Sequence, residues 1–369
     1  MATTGDHRER AAAIHADLPV VDGHNDLPWR LRLRDDADLD SADPREHLDG
    51  YHTDTPRLLA GGVGAQFWSV YVPAWTERPF DVTMQQLDLV ERMVGRDPCL
   101  EHADTAEDVR RIRAAGRIAS LAGAEGGHCI EGSLEKLRSL RRRGVRYLTL
   151  THGDTIDWAD SATDAPRHGG LTEFGRAVVK EMNRIGMLVD ISHVSADTMR
   201  DALAVSERPV IASHSGAFAL IPHPRNVPDD VLEGIASNDG VVMVVFYPGF
   251  LVAETAVKAL DMFAEARRLA IELDDELAVD AALAERTADW DRGSVSTVAD
   301  HIEHIARVAG ADHVGLGSDF DGMHLVPAGL EDVSRYPRIT AELLARGWSE
   351  TDIRKVLGEN ALRVLAAAD

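Results

Sequence analysis

Acids and histidines stand in this chain where apolar runs end. Val20-Val21 leads into Asp22-Gly23-His24-Asn25-Asp26, residues 118–124 run into Glu125, and residues 187–192 into His193. Residues 209–213 run into His214, and residues 313–318 into Asp319. Imidazole nitrogens and carboxylate oxygens together make the donor set of a divalent cation, with zinc favoured and Mn, Co or Fe able to occupy it. His24 and Asp26 alternate, so on an extended backbone both project the same way and can share one ion. The plain alternative is a His–Asp hydrogen bond at a strand end. Glu125 lies in Gly123-Ala124-Glu125-Gly126-Gly127, where a charge after an apolar run is costly unless paired or metal-bound. Its small neighbours leave room for a carboxylate to bridge two ions, although a solvated acid in a glycine-rich turn fits the same string. His193 and His214 each follow an apolar run and a serine. Either alone reads as a core histidine; the pair reads as ligands.

Three more residues suit catalysis. Asp319, in Gly317-Ser318-Asp319-Phe320-Asp321, is placed to hold a metal-bound water and carry its proton, with Asp321 the competitor one step along the loop. His152, after Tyr147-Leu148-Thr149-Leu150-Thr151, is a donor candidate for a developing oxyanion. Arg225, in His223-Pro224-Arg225-Asn226, offers a planar fork for a substrate carboxylate. His301 and His304 have the i, i+3 spacing of an exposed helix face and are set aside, as are His52, His102 and His313. Cys129 reads as a small buried residue near Glu125.

The elements that must position these groups alternate between short apolar runs and amphipathic segments, the pattern of βα units. Strands are expected at 18–21, 65–72, 118–123, 147–150, 188–191, 210–212, 241–246 and 314–316. Eight such units predict an α/β fold, a (β/α)8 TIM-like barrel over residues 1–369 as one domain, whose strand ends share one face. Thr172 caps a helix with Phe174, Ala177, Val178, Met182 and Ile185 on one side and Gly186 as its stop. Ser133 caps another, with Leu134, Leu137 and Leu140 as the stripe and Arg141, Arg142 and Arg143 at its negative end. Ser349 and Asp352 make a capping box for the last helix. Residues 30–62 are long, acidic and without strand periodicity. Residues 254–296, rich in Ala, Glu and Asp, predict helices inserted after the seventh strand.

At 369 residues with 44% hydrophobic composition, the chain can bury one large core. Its net charge of -23 argues against nucleic acid or an anionic membrane as a partner. Two cysteines make no disulfide framework. Ala11-Ala12-Ala13-Ile14 after Met1 is too short for a leader, and Val364-Leu365-Ala366-Ala367-Ala368 too short for an anchor or span, so a soluble cytoplasmic protein is expected.

Gly23-His24-Asn25-Asp26-Leu27-Pro28-Trp29 resembles the first metal motif of the renal (membrane) dipeptidase family of metallopeptidases. Thr149-Leu150-Thr151-His152, Trp158-Ala159-Asp160-Ser161, Ser213-His214-Ser215 and the run from His223 to Asp230 are similar to that family in the same order. So are Gly317-Ser318-Asp319-Phe320-Asp321-Gly322 and the run from Gly329 to Pro337. The resemblance implies two zinc ions per chain. His24 and Asp26 would hold one, His193 and His214 the other, and Glu125 would bridge them. It further implies Asp319 as the catalytic aspartate, His152 and Arg225 as substrate contacts, and a dipeptide substrate that can carry a C-terminal D-residue. The family is often dimeric, which implies a homodimer. Gly153-Asp154-Thr155-Ile156-Asp157 departs from the Asn-containing loop of mammalian members, residues 254–296 look longer, and the mammalian lipid anchor is missing.

The mechanism expected from this set places a water between two cations roughly 3.5–4 Å apart, with its pKa lowered toward ~7. The resulting hydroxide attacks the peptide carbonyl while Asp319 acts as base and then acid. Two rival readings remain at this level: another barrel amidohydrolase acting on cyclic amides, phosphoesters or amines, and a non-catalytic metal-stabilised scaffold. Such amidohydrolases commonly begin with His-x-His, against the His-x-Asp here. A scaffold would need neither Asp319 nor His152.

Overall fold

A computed structural model of the chain describes residues 4–18 and 20–369. Met1 and Pro19, used above for the leader and the first strand, lie outside the described residues.

The strands are β1 (Val20–Asn25), β2 (Val63–Tyr71), β3 (Leu100–His102), β4 (Ile118–Glu125) and β5 (Val145–Thr149). They continue with β6 (Leu188–Asp190), β7 (Ile211–Ser215), β8 (Val241–Val244) and β9 (Val314–Leu316). All pair in parallel, in the order β2-β1-β9-β8-β7-β6-β5-β4, and β2 pairs with β4 to close the ring. Eight strands form the barrel, as expected. The ninth, β3, was not expected. It pairs only with the first half of β4, Leu100 to Ile118, and β5 takes the second half of that edge. With a single buried residue, Leu100, it offers no periodicity to read.

Several ends run further than the apolar runs suggest. β1 continues through His24 to Asn25, β4 includes Glu125, and β7 includes His214. Each of these polar residues is nonetheless buried, because the barrel surrounds it. Val21, Phe67, Leu121, Tyr147, Ile211 and Met243 form one buried cluster along the strands, and Leu362, Val364 and Leu365 of the C-terminal helix Asn360–Ala368 join it.

The helices follow their caps. Ser133 accepts from Lys136 N ahead of Leu134–Arg142, and Thr172 accepts from Gly175 N ahead of Glu173–Ile185, which stops at Gly186 in the left-handed conformation. Ser349 accepts from Asp352 N, but that helix is broken at Gly358 before the C-terminal helix begins. After the seventh barrel strand, β8, come the inserted helices Ala253–Ala259, Met262–Leu273 and Glu276–Thr287. The region 30–62 holds the end of a helix, Leu27–Asp35, and a short one, Thr55–Ala60, with no strand. Both cysteines are free. Among the described residues, no helix is long and apolar enough to cross a membrane.

His301 and His304 correct the sequence reading. Both are buried: Nδ1 of His301 accepts from Ala217 N at 2.9 Å, and His304 meets Asp229 at 2.7 Å. The helix Val295–Ala309 packs that face against the loop after β7, so i, i+3 spacing marked a polar interface and not a solvent face.

Candidate metal centre

The strand ends bring His24, Asp26, Glu125, His193 and His214 to one point. Nε2 of His24 lies 3.2 Å from Asp26 Oδ2 and 3.4 Å from Glu125 Oε2. The other oxygen of Glu125, Oε1, lies 3.1 Å from His193 Nε2 and 3.4 Å from His214 Nε2. Glu125 thus stands between two donor sets, one oxygen toward each. The two imidazole nitrogens of His193 and His214 are 2.8 Å apart.

Asp26 reaches this point by a different route from the alternation expected. β1 ends at Asn25, and Asp26 is the N-cap of the helix Leu27–Asp35, with φ -98° and ψ 18°. The chain turns there, and the carboxylate comes back beside His24. His193 and Asp319 lie past their strands at φ +66° and +67°, the left-handed region that costs a residue with a Cβ about 1 kcal/mol or more. Such conformations gather where surrounding structure dictates a side chain's aim, and Asp and His tolerate them better than most residues.

Neighbouring groups settle which nitrogen His24 and His214 offer. The Tyr147 hydroxyl donates its one proton to the Gly23 carbonyl at 3.2 Å, so its 2.7 Å contact to His24 Nδ1 needs the imidazole proton. That leaves Nε2 of His24 facing the two carboxylates. Ser213 Oγ donates to Asp190 Oδ2 at 2.6 Å and therefore accepts from His214 Nδ1 at 2.8 Å, which again frees Nε2. Asp190 is anchored by the Ser192 and Ser213 N–H groups and by the Thr149 hydroxyl. Asp22 does the same work between β1 and β9, accepting from Ser318 N, Ser318 Oγ, Gln66 and Tyr336. Glycine at 123 makes room for the ring of Tyr147, which comes within 2.0 Å of where a Cβ would stand. The small residues before Glu125 thus accommodate the aromatic ring that orients His24, a role for them that the sequence reading did not reach.

These donors fit a cation. Among the described residues, Nε2 of His24 and Oδ1 of Asp26 are buried without a hydrogen-bond partner. Lone pairs of two imidazoles and a carboxylate face one another at 2.8–3.4 Å, an arrangement that positive charge relieves. Burial chiefly, with the Arg225 charge added, holds His152 and His193 well below the ordinary imidazole range, and burial and His24 do so for His214. They are therefore neutral, as ligands must be. Burial opposes charge on His24, but Tyr147, Glu125 and Asp26 together raise its pKa well above 6.5. Burial also raises Glu125.

The remaining candidates surround the same point. Asp319, half-buried, forms a triad with His24 and Asp26 in which all donor atoms lie within 4.8 Å. Burial and the Asp26 carboxylate lift its pKa well above the usual range. Asp321 is tied into its loop instead: its Oδ1 accepts from His52 N at 2.9 Å and its N–H meets His52 Nδ1 at 3.1 Å. His152 Nε2 stands 3.9 Å from Glu125 Oε1. The Arg225 guanidinium is fully buried, 4.9 Å above the Phe250 ring, and donates once, to the His214 carbonyl at 3.2 Å. Its Nε and Nη1 have no partner among the described residues. Burial pulls its pKa down to about 10 despite the nearby Asp319 and Glu125. A cavity of about 240 Å³ opens onto Asp26, Glu125, His152, His193 and Asp319. Its walls include Tyr71, Tyr247 and, from the inserted helices, Phe263, none of which carried a motif in the sequence. Cys129 is buried away from solvent and its thiol is pushed up to about 12.

Residues 8–369 match the family model described as Membrane dipeptidase (Peptidase family M19). Among solved structures, the chain is similar to the probable dipeptidase PvdM from Pseudomonas aeruginosa, with 24% identity, 98% of each chain covered and a TM-score of 0.82. It is 26% identical to a metallo peptidase from Rhodobacter sphaeroides liganded with a phosphinate mimic of the dipeptide L-Ala-D-Ala, covering 95% of this chain and 99% of that one at a TM-score of 0.77. It is 27% identical to the metallo peptidase described as dipeptidase AC, covering 95% and 98% at a TM-score of 0.76.

Proposed function

The chain belongs to the membrane dipeptidase family, and from that premise we propose that it hydrolyses the peptide bond of unblocked dipeptides at a two-zinc centre. The observation that carries the reading is Glu125, one oxygen turned to His24, which Asp26 also flanks, and the other to His193 and His214. His24 and Asp26 would hold one zinc, His193 and His214 the other, with Glu125 shared. Bound together, two such ions supply a hydroxide-level nucleophile near neutral pH and polarise the scissile carbonyl.

The chain's own residues do the rest. Asp319 takes the proton of the attacking water and delivers it to the leaving amine, a role suited to a carboxyl that burial and Asp26 keep easy to protonate. His152, neutral, donates its N–H to the oxyanion of the tetrahedral state. Arg225 turns its unpaired N–H groups to the substrate's C-terminal carboxylate, which limits substrates to short peptides. The cavity is smaller than the ~300–1,000 Å³ of sites for drug-sized ligands, in keeping with a small substrate. The mimic of L-Ala-D-Ala held by the Rhodobacter sphaeroides relative supports dipeptides, including those with a C-terminal D-residue. The reading treats residues 1–369 as one catalytic domain.

The test is turnover by zinc-loaded and chelated protein of L-Xaa–L-Xaa and L-Xaa–D-Xaa dipeptides, their C-terminal amides and tripeptides. Free dipeptides should be cleaved, chelation should abolish it, and amides and tripeptides should be poor. Cleavage of a cyclic amide or phosphoester with dipeptides untouched would overturn the reading.

A further inference from the structure

The helices inserted after β8 reach the candidate centre itself. Phe263, in the first turn of Met262–Leu273, sets its ring edge-on to His152 at 5.4 Å and to His193 at 5.8 Å between centroids. The approach is close enough to dictate a neighbour. A Cβ on residue 153 would stand 2.8 Å from the Phe263 ring, so the residue after His152 is glycine. One turn on, Arg267 pairs with Asp154 and donates to the Gly153 carbonyl at 3.4 Å, clamping the helix to the loop that carries His152. The next helix, Glu276–Thr287, is tied down at the opposite side of the cavity. Asp280 accepts from Arg30 at 2.6 Å and lies 3.1 Å from His324, and Arg30 also donates to the Asp321 carbonyl. The insertion is therefore latched to both the His152 and the Asp321 loops, and its inward face carries Phe263, Ala266, Val279 and Leu283 with one acid between the latches, Glu276. Phe263, Ala266 and Val279 line the cavity across from Trp29 and Tyr71.

We infer that this wall, centred on Phe263, selects dipeptides whose N-terminal residue carries a bulky apolar or aromatic side chain. The inference rests on the dipeptidase reading above. Arg225 packs on Phe250, which lines the same cavity as Tyr71, Trp29 and the inserted helices, so a dipeptide held by its carboxylate at Arg225 places its N-terminal side chain in the remainder of that cavity. An apolar side chain placed there is stripped of water against rings and methyl groups, worth about tenfold or more in kcat/KM over glycine. An acidic one would lose hydration and meet Glu276, which lines the same cavity, as a like charge.

The experiment compares kcat/KM of zinc-loaded protein for Phe-Ala, Leu-Ala, Gly-Ala and Glu-Ala. Wild type should favour Phe-Ala and Leu-Ala over Gly-Ala by about tenfold or more. Phe263→Ala should shrink that ratio several-fold with zinc content retained; the ratio is the readout because Phe263 also packs on His152. Ala266→Trp fills the same space from a half-buried position and should penalise Phe-Ala far more than Gly-Ala, a check that does not depend on the Phe263 variant folding well. Gly-Ala cleaved as well as Phe-Ala by wild type, or both variants scaling all four substrates alike, overturns the inference and leaves the dipeptidase reading standing. No cleavage of any of the four by zinc-loaded wild type overturns both.

Discussion

Replacing Tyr147 by phenylalanine removes one oxygen from the interior and asks whether it sets the protonation of His24. The hydroxyl is fully buried, 2.7 Å from His24 Nδ1, and passes its own proton to the Gly23 carbonyl. In the zinc-free variant His24 can keep its proton on Nε2, between Asp26 and Glu125. With an ion on Nε2 the proton must move to Nδ1, where it faces only the phenylalanine ring. A buried donor left unpaired costs about 1–3 kcal/mol, and removing such an orienting partner typically lowers metal affinity about 10–100-fold. The ring itself stays, so packing against Gly123 and Phe67 is preserved. The loss should fall on one of the two ions, since the Tyr147 hydroxyl meets His24 and the Gly23 carbonyl, and His214 is held by Ser213 instead. Competition with a chelating dye, read as two successive dissociation constants, measures this directly. Affinity unchanged within about twofold at both sites would refute the argument that Tyr147 fixes the tautomer.

Three further outcomes follow from the same geometry. Asp319→Asn keeps shape but cannot accept a proton, so kcat should fall by at least about 10²–10⁴-fold with both metals retained and KM changed far less; metal analysis beside steady-state kinetics would expose a ligand role instead. Arg225→Met should impair free dipeptides strongly and leave their already poor C-terminal amides nearly where they were, and equal wild-type turnover of a dipeptide and its amide would give Arg225 another job. Burial holds His15 and His301 at about 4 in the folded state against an ordinary 6.5. At these two sites the unfolded chain therefore binds more protons below pH 6.5, and their contribution to stability should fall on acidification, by about 1 kcal/mol for each histidine at pH 5.5. A melting temperature constant from pH 7.5 to 5.5 would contradict this.

The barrel was legible because strands buried on both faces read as unbroken apolar runs, and the polar residue ending each run marked the open face. Glu125, His193 and His214 stood out for that reason. Less visible was how the candidate ligands are aimed. The left-handed turns at His193 and Asp319 carry no glycine to announce them, and Asp26 arrives through a helix cap rather than by strand alternation. Tyr147 looked like one more apolar barrel residue because its hydroxyl acts across 123 positions of chain. Asp22 and Asp190 did leave a signal: an acid inside an apolar run must be satisfied by its neighbours, and here each fastens the strand before a candidate ligand. The insertion was visible as helical composition, while the meeting of Phe263 with His152 is a tertiary contact that no local pattern encodes.

The central claim is a binuclear centre bridged by Glu125, and metal stoichiometry tests it most directly. Protein stripped and reloaded with zinc should bind two ions per chain, and Glu125→Ala should weaken both, because each ion loses an oxygen of the shared carboxylate. One tightly held ion in wild type, with Glu125→Ala binding it as well, would contradict the account.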